Sequence, residues 1–579
     1  MNIIKIISGV FFAILFGCRK EPVLPNVGYK ERLSGRRLAW DFSSIKKIAP
    51  GTGRINAYYA RLIQRENNQL ICIYEVDGDV EIIVSNDSGL SWGTPVIVSA
   101  KENGVSRSVP EILELKNHTL LSSYNLRPSS NNQDPLKKYA IAVKRSFDGG
   151  LTWSNEKIIY TADYLFENGC WEPSQIQLPS GEIQLFFANE NPYRESDEQE
   201  ISMMRSYDNG LTWTTPVKVI FRAGKRDGMP VPLLLNDNNT ILVSIEDNGY
   251  PPEFKPSIIK SDVVRNWTNA PVSGTSSDRY MPLKNYLKPE VYAGAPYIQQ
   301  LSTNEIVLSY QSTENRQSIW NFASMQVGLS DDNGSTFNRI TVPFNIPITK
   351  SGLWNSVAIV NDNAWALTST NAYNASDRSE IMSIKSRTIP ILALNKHNIT
   401  IDGSLGSSEY EQLPVFIGHK GNVNASIWLA ENNGYLCLAA LVTDNEVVTN
   451  NGPDIKSKDG ITFFFDTNKD LAPNIIHENV FALTITAGAE VLFEEGKYGN
   501  WEQRNVNGLN YEVRKIDTGY IIEMQMPLIN FNSLTSDLTW GFNVLLNNDA
   551  ENYNFRYSES ISGADESDSS TWCPLAITW

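Results

Sequence analysis

An all-β chain in two parts, a six-bladed β-propeller followed by a β-sandwich, is the fold class this sequence predicts. Three observations predict it. A tetrad spaced S-x-D-x-G-x-x-W returns at a nearly fixed interval. Short apolar runs joined by Gly, Asn and Asp turns fill the space between tetrads. Past Arg387 the repeat stops and the composition changes character.

Three tetrads are complete: Ser85, Asp87, Gly89, Trp92; then Ser146, Asp148, Gly150, Trp153; then Ser206, Asp208, Gly210, Trp213. A partial copy at Ser330, Asp332 and Gly334 carries Phe337 in place of Trp, and a degenerate one keeps only Ser261 and Trp267. The box serines at 85, 146, 206 and 330 define a period of about 60 residues, each period holding several short strands. A unit of that size cannot bury both its faces alone, so the units are expected to close into a ring over 36–390. Asp and Gly suit a tight turn and Trp packs back between strands, which makes Asp87, Asp148 and Asp208 structural residues. A sixth unit, LWNSVAIVNDNAWALTST, has no tetrad.

Composition narrows the partners. At 579 residues one core is not expected, and 41% hydrophobic with 20% charged residues describes a folded protein. A net charge of −16 argues against nucleic acid or an anionic membrane surface as partner. Residues 1–18 read as a signal peptide: Lys5, then an apolar run too short to span a bilayer. The run ends in Leu15-Phe16-Gly17-Cys18, which resembles the bacterial lipobox and implies acylation at Cys18, a tether over 19–35 and an exported, lipid-anchored monomer. Cys72 and Cys437 lie in apolar strand patterns and read as small buried hydrophobes; with Cys170 and Cys573 they are too few for a disulfide framework. Four His without ligand spacing give no zinc site, and no cofactor is required.

Inner strands of a propeller converge on its axis, so chemistry is sought at their entries. These read Tyr58-Tyr59-Ala60-Arg61, Arg107-Ser108-Val109-Pro110, Cys170-Trp171-Glu172-Pro173, Arg226-Asp227-Gly228-Met229-Pro230, Tyr292-Ala293-Gly294-Ala295-Pro296 and Leu353-Trp354-Asn355-Ser356. The following runs end at Glu75, at Asn125 with Arg127, at Asn189 with Glu190, and at Glu246, Gln311 and Thr368. Polar residues at one phase of every repeat are expected to line the mouth of a funnel. Two carboxylates are the minimum for cleaving a glycosidic bond, and Glu172 and Glu246, from adjacent units, fit best. Glu172 beside Trp171 suits the acid, and Glu246 near Arg226 suits the nucleophile. Tyr59, Arg61, Trp171, Glu190, Arg226, Asp227, Tyr292, Gln311, Trp354 and Asn355 are the expected sugar contacts.

The tetrad resembles the Asp-box of sialidase-like propellers. WEP, RDGMP, SIED, YAGAP, SYQSTENR and LWNS together look like glycoside hydrolase family 93, the exo-acting α-1,5-L-arabinanases. That resemblance implies a retaining, six-bladed enzyme whose two catalytic glutamates map onto Glu172 and Glu246, acting on a plant-type polysaccharide. Exo-sialidases share the boxes but hold a substrate carboxylate with clustered arginines; here Tyr59 stands where their first arginine would. A propeller that binds glycans without cleaving them is the other alternative. Over 394–579, Ile401-Asp402-Gly403, the Asp444 turn and the FFFD strand ending at Asp466 resemble family 9 carbohydrate-binding modules. This implies a β-sandwich with sugar-gripping aromatics, for which Trp501, Trp540 and Trp572 are the candidates, and structural calcium at acidic turns.

Overall fold

The protein is seen in a computed structural model. It describes residues 36–577 except 285, 391, 407–408, 411–414, 419–422, 450–451, 468–475, 477, 532–538, 550–555 and 561–572. The proposed signal peptide, Cys18, the tether and Trp572 lie outside the described residues.

Six four-stranded antiparallel sheets succeed one another along the chain, as a six-bladed propeller requires. Their inner strands are Ala57–Gln64, Ser106–Glu114, Cys170–Gln177, Asp227–Leu234, Ala293–Gln300 and Gly352–Val360, here blades 1 to 6. Apolar side chains from neighbouring sheets interlock between blades, Ile71 and Ile82 of blade 1 meeting Ile112 and Tyr124 of blade 2. The sixth blade takes its outer strand from the start of the chain, because Arg36–Ala49 pairs antiparallel with Glu380–Pro390. That closure explains why the sixth unit has no tetrad: its outer strand does not follow its third in sequence.

The tetrads form equivalent turns. In all four conserved copies the Ser hydroxyl donates to the Asp carboxylate and accepts the Gly N–H, and the carboxylate accepts a further N–H, at 2.7 to 3.0 Å. Hydrogen bonds from Ser91 and Thr152 hold the Asp87 and Asp148 carboxyls down at about 2. Trp153 and Trp213 donate to the carbonyls of Gly150 and Gly210 and pack on the blade cores. The aspartates are structural, as the sequence predicts.

The second part is built of two sheets joined through Leu392–Lys396, which pairs parallel with Asn424–Asn432 on one side and with Cys573–Ile577 on the other. Ile427, Leu438 and Ile522 from one sheet and Phe463, Phe481 and Phe542 from the other share one core, the packing of a β-sandwich. The IDG motif has a structural reason: the buried Glu523 carboxylate accepts the N–H groups of Asp402 and Gly403 and the Tyr410 hydroxyl. Trp540 is only 1% exposed and packs on Phe531 and Phe465, so it is core and not a sugar platform. Trp501 stays half-buried beside Phe464. Cys72, Cys170 and Cys437 are free and buried. Among the described residues no three His, Cys, Asp or Glu side chains gather as a metal site would need, so no calcium ligands are assigned.

Candidate active site

The site is built on a backbone device that occurs in every blade. Each inner strand breaks register with its neighbour over its first few residues, a β-bulge. Within each bulge one residue takes positive φ: Tyr59 (53°), Val109 (48°), Glu172 (50°), Met229 (48°), Ala295 (47°) and Trp354 (54°). A non-glycine residue there costs about 1–2 kcal/mol, so six in phase mark a required geometry. Tyr59, Val109, Met229 and Ala295 form one apolar cluster with Trp354 packed against it. Glu172 is the one carboxylate among the six bulge residues.

The bulge also frees a backbone N–H, and the preceding blade supplies its acceptor. Val109 donates to Glu75 (3.3 Å), Glu172 to Asn125 (2.8 Å), Ala295 to Glu246 (2.8 Å) and Trp354 to Gln311 (2.9 Å). The polar strand ends that stand at one phase of the sequence repeat are therefore, first, acceptors that satisfy buried N–H groups. In blade 3 the residue at this phase, opposite Trp171, is Ala188, and not Asn189 or Glu190 as the sequence suggests. There Glu172 itself reaches across and accepts the Met229 N–H at 3.3 Å. In blade 6 the register puts Ser369, not Thr368, at that phase.

Glu172 and Glu246 line one cavity of about 380 Å³. Aromatic walls come from Trp171, Tyr292, Trp354 and three residues the sequence analysis missed, Phe166, Phe254 and Trp320. Those three stand outside the repeat phase, which hid them. Burial, and then the negative charge of Glu246, push the Glu172 carboxyl up to about 7, against smaller opposing pulls from Arg127 and the Met229 N–H. Burial raises Glu246 too, but it has more to hold its charge: the Ala295 N–H, the Tyr292 hydroxyl at 3.4 Å and the positive field of Arg226. Gly294 leaves room for this pair, since a Cβ would sit 2.2 Å from the Glu246 Oε2 and 2.3 Å from the Tyr292 hydroxyl and would make one of them shift.

Of the expected sugar contacts, Trp171, Glu190, Arg226, Tyr292 and Trp354 line this cavity, and Tyr59 lines an adjoining one. Glu190 is a clamp: it accepts the Trp171 indole N–H at 2.9 Å and pairs with Arg226. Four expectations are corrected. Arg61 lies under the floor, paired with Glu111 at 3.5 Å and stacked over Tyr297, because the residues after the bulge turn inward. Asp227 is sealed against Arg279 at 2.6 Å, and Asn355, 1% exposed, donates to the Gly352 carbonyl. Gln311 is fully buried and acts from behind, donating to the Tyr292 hydroxyl at 2.9 Å.

Residues 410–573 match the family model described as carbohydrate family 9 binding domain-like. No curated relative matches the chain in sequence. Among solved structures, the chain is similar to a GH93 α-L-arabinofuranosidase of Fusarium graminearum seen with arabinobiose, at 18% identity over 59% of this chain and 97% of that one, TM-score 0.47. It is similar to an α-L-arabinanase of Penicillium chrysogenum, at 16% identity over 59% of this chain and 97% of that one, TM-score 0.44. It is also similar to a family 9 carbohydrate-binding module of Caldicellulosiruptor kristjanssonii, at 14% identity over 32% of this chain and 95% of that one, TM-score 0.27.

Proposed function

We propose that this protein is an exo-acting glycoside hydrolase that removes terminal units from a plant-type polysaccharide such as α-1,5-L-arabinan, with retention of configuration. The observation that carries the proposal is one aromatic-walled cavity in which the carboxyl groups of Glu172 and Glu246 have unlike surroundings. Glu172, raised to about 7, is suited to hold a proton at neutral pH and pass it to the leaving oxygen. Glu246, with an N–H, a hydroxyl and a nearby cation to hold its charge, is suited to attack the anomeric carbon. The aromatic walls would stack on a neutral sugar ring and keep water from the reacting centre.

The test is hydrolysis by the full chain of arabinan, sialosides and other plant glycans, beside Glu172→Gln and Glu246→Gln. Release of terminal units from arabinan, lost in both variants, is the expected result. Release of sialic acid instead would make the protein a sialidase. Sugar binding without turnover of any glycan would leave a non-catalytic receptor. The first product, followed by NMR, is expected to keep its anomeric configuration; retaining carboxyl pairs stand about 5–5.5 Å apart, inverting pairs about 6.5–9.5 Å.

We further propose export and lipid anchoring through Cys18, and a propeller over 36–390 that folds without the sandwich, supported by the pairing of Arg36–Ala49 with Glu380–Pro390. Cys18→Ser should release the protein from membranes. A fragment ending near residue 390 should stay soluble and turn over short oligosaccharides, with loss on insoluble polymer.

A further inference from the structure

Beside the cavity of Glu172 and Glu246 lies a second compartment of about 410 Å³ between blades 1 and 2, and Arg127 and Trp354 line both. The volume falls in the range of small-molecule sites, roughly 300–1,000 Å³. Its wall is unlike that of its neighbour. Hydroxyl-bearing Tyr58, Ser106, Ser108 and Ser129 stand there beside the aromatic rings of Tyr59 and Trp354, and two cations, Arg127 and Lys101, line it.

These cations lack the carboxylate partners that other buried or half-buried arginines of the propeller have. Arg61, Arg107, Arg226 and Arg279 each pair with a carboxylate. Among the described residues neither Arg127 nor Lys101 forms an ion pair within 4.0 Å. Arg127 is half-buried, lies 5.1 Å over the Trp171 ring and lines both compartments. Two carboxylates act on Arg127 without pairing with it: Glu172 on the side of the first cavity, and Glu75 on this side, whose Oε2 is already engaged by the Ser108 hydroxyl and the Val109 N–H. In a chain of net charge −16, a hollow that gathers several hydroxyls and two cations without an ion-pair partner is suited to receive an anion.

We propose that this compartment is a subsite for an acidic sugar, a hexuronate, whose carboxylate is received by Arg127 and Lys101. Charge-assisted, fork-shaped bonding of a carboxylate is what a guanidinium does best. The inference rests on the propeller being a glycan-binding protein, and not on its catalysis. It extends the glycan from neutral units at Glu172 to a charged unit next door.

The experiment is calorimetric titration of the full chain with galacturonate and glucuronate, each beside its neutral counterpart, galactose and glucose. The acidic sugars are expected to bind at least about tenfold more tightly, an advantage that falls with added salt. Arg127→Met should reduce the advantage to less than about twofold. Because that change could disturb Trp171, Lys101→Met, an exposed position, is the second check and should cut the advantage several-fold. Equal binding of acidic and neutral sugars overturns the proposal, as does an advantage that survives both variants. Glu172→Gln separates the two proposals: it should cut hydrolysis of glycans with poor leaving groups and leave the uronate preference in place.

Discussion

The two ends of the propeller are built on opposite terms. At one end lie the box turns, where the third strand of a blade meets the start of its second, as Ser85 opposes Leu70. At the other lie the bulges, where the first strand opens against the end of the second, as Tyr58 opposes Glu75. The box end repeats its side chains: Ser, Asp and Gly make the same bonds in four blades. The bulge end repeats its backbone and varies its side chains, with Tyr, Val, Glu, Met, Ala and Trp at one conformation. Repetition of side chains marks what the fold needs. Among the six varied bulge residues Glu172 is the one carboxylate, and the proposed function assigns the acid there.

The contrast breaks most sharply at Glu172 and Glu246. Glu172→Gln should lower turnover of substrates with poor leaving groups by about 10²- to 10⁴-fold, with far less effect on activated aryl glycosides. Glu246→Gln should abolish both, and azide should partly rescue Glu246→Gly with an inverted product. Equal activity of wild type and Glu172→Gln on poor leaving groups would remove the acid from the proposal.

A smaller effect lies in the pH profile. With Glu172 raised to about 7, the protonated form is lost as pH rises through that value, so activity should fall above about pH 7. The limb should vanish from the residual aryl glycosidase activity of Glu172→Gln. A limb that persists unchanged belongs to another group.

Gln311 tests the layer behind. It holds both the Tyr292 hydroxyl and the Trp354 N–H, so Gln311→Leu should cost about tenfold in kcat through misplacement of Tyr292 against Glu246. Steady-state kinetics showing only a raised KM would assign it to substrate binding instead.

The smallest effects are on stability, and they should differ in sign at the two ends. A carboxyl raised from 4.5 to about 7 weakens the fold where it is ionised, fully above about 7 and not at all below the unfolded value. Glu172→Gln should therefore raise the melting temperature by a few degrees at pH 8 and by less at pH 4.5. Asp332 is held below the ordinary carboxylate range by Thr336 and Ser330 against the effect of burial, so its contribution is present above the unfolded pKa and fades as pH falls. Asp332→Ala should destabilise the propeller by about 1 kcal/mol at pH 7 with kcat unchanged. Melting curves that move in the same direction for both would show that the bulge end is structural as well.

Much of this was legible in the chain. The tetrads set the period of the repeat because a turn that needs Asp and Gly at set positions is a local demand, written where it acts. Glu172 and Glu246 stood out because they sit in phase with the repeat. IDG, the Asp444 turn and the FFFD strand pointed to a sandwich through their resemblance to family 9 carbohydrate-binding modules. Closure of blade 6 by Arg36–Ala49 carried no such signal, since pairing with Glu380–Pro390 is a contact across the whole propeller sequence. Side-chain direction was hidden for the same reason. The bulge turns Glu172 and Trp354 outward while Arg61 and Asn355, one or two residues beyond a bulge residue, turn beneath the floor. Phe166, Phe254 and Trp320 reach the cavity from loops of unequal length. The sequence by itself determined which turns and strands would form, because those depend on neighbours in the chain. The tertiary structure decided which polar residues satisfy the frame and which face the cavity, because that depends on acceptors supplied by the next blade.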